Sequence, residues 1–209
     1  MSRESLAPLI AKSNWVPVWS LCVTQVISWG TLYYAVSVLV TPMGQACQWD
    51  QTRMMGAFSF SLLLSGLCAL PVGLAIQRWS GRWTLAAGSF LAALGLWIVA
   101  QASSLTTFYL GWGIAGIAMS MCLYEAAFAT LATIQTLDHR RAVTTVTLAD
   151  GFASTVFLPL TEWLVSWTGW QSTIYGYVAL HLFVCLPLHL FGGLETRSPP
   201  SLVSRAPTT

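Results

Sequence analysis

Six long apolar stretches alternate with short polar segments along the chain. They cover residues 16–40, 56–76, 83–101, 108–130, 143–165 and 173–191, and Pro42 ends the first. Each is about 19–25 residues long, and a helix needs about 20 apolar residues to cross the roughly 30 Å hydrocarbon core of a bilayer. The pattern therefore predicts an all-α membrane protein with six transmembrane helices.

Composition supports a bilayer environment. Hydrophobic residues make up 56% of the chain and charged residues 8%, whereas about a quarter of residues are charged in soluble domains. Six helices that are apolar around most of their circumference would leave a soluble fold without a polar surface. The 11 tryptophans also fit, since indole rings favour the membrane interface. The net charge of +2 is too small and too dispersed to indicate nucleic-acid binding.

The basic residues predict the orientation of the six helices. Eight of the nine Lys and Arg residues fall on one side of the membrane, and only Arg53 falls on the other. Because short basic loops stay in the cytoplasm, both termini are predicted to be cytoplasmic. We expect a cytoplasmic segment at residues 1–15, a transmembrane domain at 16–191 and a disordered cytoplasmic tail, rich in Ser, Pro and Thr, at 192–209.

An isolated carboxyl group in the fourth stretch is the first candidate for function. Glu125 follows Tyr124 deep in that stretch, with no charged residue within one helical turn. A carboxyl group inside a membrane costs a few kcal/mol or more, so it normally faces a cavity or a partner. It could bind solute or a proton, or it could only hydrogen-bond a neighbouring helix.

The fifth stretch carries a polar stripe. Thr147, Asp150, Ser154 and Thr161 share one face of the predicted helix. Such a stripe is typical of a water-filled path, but Asp150 lies near enough to the cytoplasmic end that its side chain could also extend to the interface.

The first and last stretches carry two further patterns. One half of the first helix carries polar and aromatic residues that would line a solute path or face lipid: Gln25, Ser28, Trp29, Tyr33 and Ser37. Tyr177, His181, Cys185 and His189 recur every four residues in the last stretch, which is a possible metal pattern. The two histidines lie about two turns apart, too far to share one ion without bending, so we expect no metal and no cofactor. No enzyme signature is present, and no enzymatic activity is expected.

Residues 73–82, Gly-Leu-Ala-Ile-Gln-Arg-Trp-Ser-Gly-Arg, resemble the loop signature of the major facilitator superfamily, GxxxDRxGxR. Gly73, Arg78 and Arg82 match it. Gln77 takes the acidic position, and Ser80, followed by Gly81, takes the second glycine position.

Three further segments resemble a bacterial branch of that superfamily, similar to monocarboxylate and oxalate–formate carriers. They are residues 29–34, 123–129 and 151–157. The resemblance covers nearly the whole chain and implies a location in the bacterial inner membrane.

The resemblance implies a transporter that works by alternating access. Such carriers join two six-helix halves, each a 3+3 repeat, around a central solute site. This chain resembles the N-terminal half, so we expect a homodimer or a separate C-terminal half, moving a small organic solute such as a carboxylate, with or without a proton. In the family, the acidic residue of the loop signature takes part in a charged latch, which Gln77 cannot do. The alternative is therefore a truncated remnant without transport activity, or a membrane interaction module.

Overall fold

The computed structural model describes residues 15–134 and 138–194. These two ranges are helical with short connections, and no β-strand occurs in them. Within them, five helical segments are long and apolar enough to cross a membrane. They are Val16–Cys47, Gln51–Trp79, Gly81–Ala100, Leu105–Ala132 and His139–Phe191. The predictions for residues 1–14 and 195–209 lie outside the described residues.

The first segment is longer than the sequence predicts. It consists of α1 (Val16–Trp29), a π-helical turn (Gly30–Tyr34) and α2 (Ala35–Cys47), which continues through Pro42. The prediction that this helix ends at Pro42 is therefore wrong. The proline removes one backbone hydrogen bond, whereas ending the helix there would leave several backbone groups unpaired in apolar surroundings.

A single residue connects the second segment to the third. The helix α3 (Gln51–Trp79) begins at Asp50, whose carboxylate accepts the Arg53 backbone N–H at 3.2 Å. Ser80 follows it, and α4 (Gly81–Ala100) starts at once. The connection is therefore almost as short as one between two helices can be.

The fourth segment breaks within its apolar stretch. The helix α5 (Leu105–Cys122) begins at Ser104, whose hydroxyl accepts the Thr107 N–H at 3.2 Å. Leu123, with ψ −163°, interrupts the helix before α6 (Tyr124–Ala132) resumes. The break leaves the Cys122 carbonyl available to a partner outside the helix.

The fifth segment folds back on itself at Gly169. It comprises α7 (His139–Asp150), α8 (Ala153–Leu180), a π-helical turn (His181–Cys185) and α9 (Leu186–Phe191). Gly169 has φ 82° and ψ 164°, which is not helical. The hydroxyl groups of Thr161 and Tyr177 lie 2.6 Å apart, although 16 residues of straight helix would separate them by about 24 Å. The residues on either side of Gly169 are therefore two antiparallel arms.

Glycines bring α5 close to both neighbouring helices. A Cβ atom added to Gly111 would lie 3.0 Å from the Gly95 carbonyl oxygen of α4, and one on Gly116 would lie 2.3 Å from the Ser61 carbonyl oxygen of α3. Such backbone contact is how membrane helices gain dispersion energy without a hydrophobic driving force. The helix α5 is therefore fixed between α3 and α4.

Burial differs strongly between the five segments. The apolar windows of the first, third and fourth segments are 56–61% buried, against 17% for α3 and 28% for His139–Phe191. Most of α3 and much of the long fifth segment therefore face outward.

The last described residues pack against α1. The Ser20 hydroxyl donates to the Gly192 carbonyl at 3.3 Å, and Leu194 is 1% exposed in a cluster with Val18 and Leu21. Residues 192–194, which the sequence assigns to the tail, therefore pack against the bundle, because Leu194 finds an apolar site on α1.

Candidate functional site

Aromatic side chains from three segments meet beside the first π-helical turn. We call Trp29, Tyr33, Tyr34, Phe58, Tyr124 and Phe128 the aromatic cluster. The Trp29 ring centroid lies 5.2 Å from that of Tyr33, 6.4 Å from that of Tyr34 and 5.0 Å from that of Tyr124. Tyr33 also packs 5.5 Å from Phe58, and Tyr124 stacks 5.1 Å from Phe128. These separations are typical of favourable aromatic pairs.

The π-helical turn explains why two consecutive tyrosines reach the same tryptophan. The Ala35 N–H donates to the Gly30 carbonyl, five residues earlier, so the turn holds one more residue than an α-helical turn. Gly30 also allows α8 to approach, since a Cβ atom there would lie 2.2 Å from the Phe157 ring. The turn thus shapes both the aromatic cluster and the packing behind it.

Asp150 ends α7 and points into the bundle rather than toward the interface. Its side chain is 4% exposed, and the Tyr124 hydroxyl donates a short hydrogen bond to its Oδ2. Its Oδ1 is buried and has no hydrogen-bond partner among the described residues. A buried carboxyl oxygen without a partner is costly, so Asp150 is the most conspicuous polar group of the bundle. Extension of Asp150 to the interface, the alternative left open by the sequence, does not occur here.

Gln25 and its neighbours on α1 extend this polar region. The Gln25 Nε2 donates to the Cys122 carbonyl at 2.7 Å, directly before the break at Leu123. Within the described part of the chain, Gln25 Oε1 and Trp29 Nε1 are buried without hydrogen-bond partners, and the Ser28 hydroxyl lies against the Cys122 and Cys185 thiols. The predicted residues Gln25, Trp29, Tyr124 and Asp150 are therefore brought together, and Ser28, from the same half of the first helix, lies beside them.

Glu125 lies differently from what its sequence position suggests. It is in the first turn of α6, directly after the break, and its side chain is exposed. The N-terminal end of a helix carries partial positive charge, which stabilises a carboxylate there. Glu125 is thus on the outer surface of the bundle, next to Tyr124. Tyr33 is also exposed, and Ser154 is half-buried on α8.

The four-residue repeat of the last arm serves helix–helix contacts. Tyr177 bonds Thr161, as described above. The His181 Nε2 lies 2.8 Å from the Thr31 hydroxyl, and the His189 Nδ1 lies 2.8 Å from the Ser89 hydroxyl. The two histidines thus join the last arm to two different segments. No group of three or more metal-binding side chains occurs within residues 15–134 and 138–194.

Among the residues that define the loop signature, Gly81 and Arg82 lie close to other helices. Gln77 and Arg78 are exposed, and a Cβ atom on Gly73 would meet open space. One on Gly81 would lie 2.2 Å from the Thr130 hydroxyl oxygen of α6. The Arg82 guanidinium lies 5.3 Å from the Trp83 ring centroid and 6.0 Å from that of Phe191.

Comparison with known families identifies the chain. A family model of the Major Facilitator Superfamily matches residues 21–208. The chain belongs to this superfamily. It is accordingly an integral membrane protein of a transporter superfamily, as the loop signature implies.

Two curated relatives of this superfamily member carry the name monocarboxylate transporter 11. The human protein is 35% identical over 143 residues, which cover 63% of this chain and 29% of the relative. The mouse protein is 35% identical over 143 residues, covering 63% of this chain and 31% of the relative. The chain thus spans less than a third of the length of these two relatives.

Proposed function

We propose that this chain forms one six-span half of a major facilitator type transporter, which moves a small organic solute by alternating access. The two arms joined at Gly169 are taken as the fifth and sixth spans. The observation that carries the proposal is the hydrogen bond from half-buried Tyr124 to buried Asp150, which joins the aromatic cluster to a carboxyl group at two helix irregularities. Polar groups inside membrane segments are expensive and typically mark a solute or ion path.

Two carboxyl groups have separate roles in this proposal. Asp150 holds the polar region together through Tyr124, and exposed Glu125 faces the second half of the carrier. Both are proposed to contact the solute or a proton that travels with it, because carboxyl groups inside membrane segments are costly and typically mark such a path. Gln25, Trp29, Tyr33 and Ser154 complete the path. The names of the two relatives make a monocarboxylate one solute to test.

The residues Gly73, Gln77, Arg78, Gly81 and Arg82 are proposed to control opening at the cytoplasmic face. The contacts of Gly81 with α6 and of Arg82 with Phe191 of α9 support this role, since they join three helices at one end of the bundle. We place both termini in the cytoplasm and the protein in a bacterial inner membrane.

Uptake into reconstituted vesicles tests the function. We expect the wild type to take up a labelled solute from a panel of organic acids, amines and neutral compounds. Glu125→Gln and Asp150→Asn should each reduce uptake at least about tenfold, because the amide keeps the shape but cannot ionise. The matched control is Glu162→Gln, an exposed carboxyl on α8 outside the polar region, which should leave uptake unchanged. Unchanged uptake in both variants would remove the two carboxyl groups from the mechanism, and a wild type that moves nothing would favour the non-transporting remnant.

Self-association follows from the outward-facing segments. The helix α3 and the fifth segment are the least buried, and Glu125 is exposed beside them. Because an exposed carboxyl against lipid is costly, we expect a homodimer or a complex with a separate half. Mass measurement of the protein in detergent, and chemical cross-linking in vesicles, should show the dimer. A protein that stays monomeric at every concentration tested, with no second half in its membrane, would contradict this prediction.

A further inference from the structure

Among the described residues, the two charged groups tied to Tyr124 of the aromatic cluster are both carboxyls. Asp150 contacts the cluster through Tyr124, and Glu125 is the next residue along the chain. We propose that the aromatic cluster, with Asp150, binds a cationic ammonium group of the solute, either a protonated amine or a quaternary ammonium. This inference rests on the proposed transport function in one respect only, which is that it calls the ligand a transported solute.

The rings provide the first part of the argument. Trp29 lies at the centre of the cluster, 5.0 Å from Tyr124 and 5.2 Å from Tyr33. Tyr33 is 36% exposed, so the cluster reaches the surface of the bundle. The faces of electron-rich rings attract cations, most strongly for tryptophan, and several rings together form the cages that hold quaternary ammonium groups.

The buried carboxyl oxygen provides the second part. Tyr124 holds the Asp150 Oδ2, which fixes the carboxyl group at the edge of the cluster. The Asp150 Oδ1 is buried and lacks a hydrogen-bond partner in the described part of the chain. A protonated amine would donate an N–H hydrogen bond to this oxygen. A quaternary ammonium would place its positive charge beside it. The aromatic rings and the carboxyl oxygen thus suit the same ligand.

The distribution of basic residues provides the third part. No Lys or Arg occurs in residues 16–52, 54–77, 83–139 or 142–194. The two buried histidines, His181 and His189, hold the hydroxyl groups of Thr31 and Ser89. An anionic solute beside Asp150 would therefore meet a like charge with no Lys or Arg side chain from the interior of these helices to offset it. If the same solute also carried a carboxylate, that group would have to be bound by residues outside these four ranges.

Three probes of one shape and different charge test the proposal. Choline is cationic, 3,3-dimethylbutanol is its neutral analogue, and 3,3-dimethylbutanoate is the anionic analogue. Equilibrium binding to the full chain in lipid nanodiscs, measured by calorimetry, should give a dissociation constant for choline at least about tenfold below that of the alcohol. The anion should bind most weakly. Equal or tighter binding of the alcohol or the anion, or no saturable choline binding at millimolar concentration, would overturn the proposal.

Variants separate ligand contact from a structural role. Trp29→Phe should weaken choline binding slightly and Trp29→Leu at least about fivefold, following the cation affinity of the ring. Asp150→Asn should weaken it at least about tenfold. Trp167→Leu, at an exposed tryptophan near Gly169, and Glu162→Gln should change nothing. If Asp150→Asn does not fold, the two Trp29 variants and the three probes still test the proposal. A contrary result is that Trp29→Phe and Trp29→Leu each weaken the binding of choline and of its neutral analogue by the same factor. That result would show that Trp29 has a structural role only.

The outcomes also distinguish this inference from the transport function. Choline binding without uptake of any solute in vesicles would reject transport and leave the ammonium site standing. Uptake of carboxylates by a protein that does not bind choline would reject the ammonium site and leave transport standing.

Discussion

At the scale of single residues, Ser80 holds a backbone conformation that side chains rarely adopt. Its φ is 136° and its ψ 142°, and its side chain makes no capping hydrogen bond to α4. This region is almost restricted to glycine, and another residue there costs about 1–3 kcal/mol. The loop signature that residues 73–82 resemble has glycine at this position, so the structure supplies a physical reason for it.

Ser80→Gly is therefore expected to stabilise the protein by about 1 kcal/mol, because relief of strain exceeds the added chain entropy of glycine in the unfolded state. The midpoint temperature of thermal unfolding in detergent should rise by about 2–4 °C. The control is Ser103→Gly, at an exposed residue whose φ is negative, which should be neutral or slightly destabilising. A lower unfolding temperature for Ser80→Gly would show that the strain is absent or serves a hydrogen bond.

The sequence indicated which residues form the candidate site but not how they are arranged. Isolated carboxyl groups and a one-sided set of polar and aromatic residues indicated Glu125, Asp150, Gln25 and Trp29. Their surroundings depended on irregularities that hydropathy does not encode. The break at Leu123 decides that Glu125 faces outward, and the π-helical turn brings Tyr34 to Trp29 against the 3.6-residue period.

At the scale of elements, the fold-back at Gly169 is the feature that a hydropathy pattern shows only indirectly. The residues near Gly169 are helical on both sides, and several polar residues, among them Glu162, Thr168 and Gln171, interrupt the apolar pattern there. The sequence placed two separate stretches at 143–165 and 173–191, one on each side of the bend. It could not show the hydrogen bond between the two arms, since nothing in either stretch specifies the register.

A double-mutant cycle tests this contact. Thr161→Val and Tyr177→Phe should be coupled by about 0.5–1.5 kcal/mol in the free energy of unfolding, the usual contribution of one hydrogen bond. The free energy of unfolding is measured by denaturation in detergent, under two-state conditions, for the wild type, the two single variants and the double variant. Thr168→Val replaces Thr161→Val in the control cycle, because exposed Thr168 bonds the Leu164 carbonyl instead, and its coupling should be near zero. No coupling between Thr161 and Tyr177 would indicate that the arms do not meet at this point.

At the scale of the whole molecule, the distribution of charge predicts the orientation in the membrane. The exposed residues Arg78, Arg140 and Arg141 lie at connections on the side predicted to face the cytoplasm. The connection before α5, which contains Ser104, has no basic residue. Because positively charged loops resist transfer across the membrane, this asymmetry predicts the orientation of the whole bundle.

Cysteine labelling in a variant without native cysteines checks the orientation. In intact cells, a membrane-impermeant thiol reagent should modify Ser104→Cys, whereas Ser80→Cys and His139→Cys should be protected. Inverted membrane vesicles should reverse the pattern, which excludes burial as the cause of protection. Labelling of residues 80 and 139 from outside would overturn the proposed orientation.

The one-residue connection between α3 and α4 also limits what can be done to this protein. A protease needs several extended residues to bind a cleavage site, and an inserted epitope needs flexible ends; Trp79–Ser80–Gly81 offers neither, since Gly81 already touches Thr130. The segment from Gln101 to Ser104 lies outside the helices and is mostly exposed. Tags, split points and engineered cleavage sites therefore belong there, and the α3–α4 pair is best treated as one indivisible hairpin when the chain is cut or recombined.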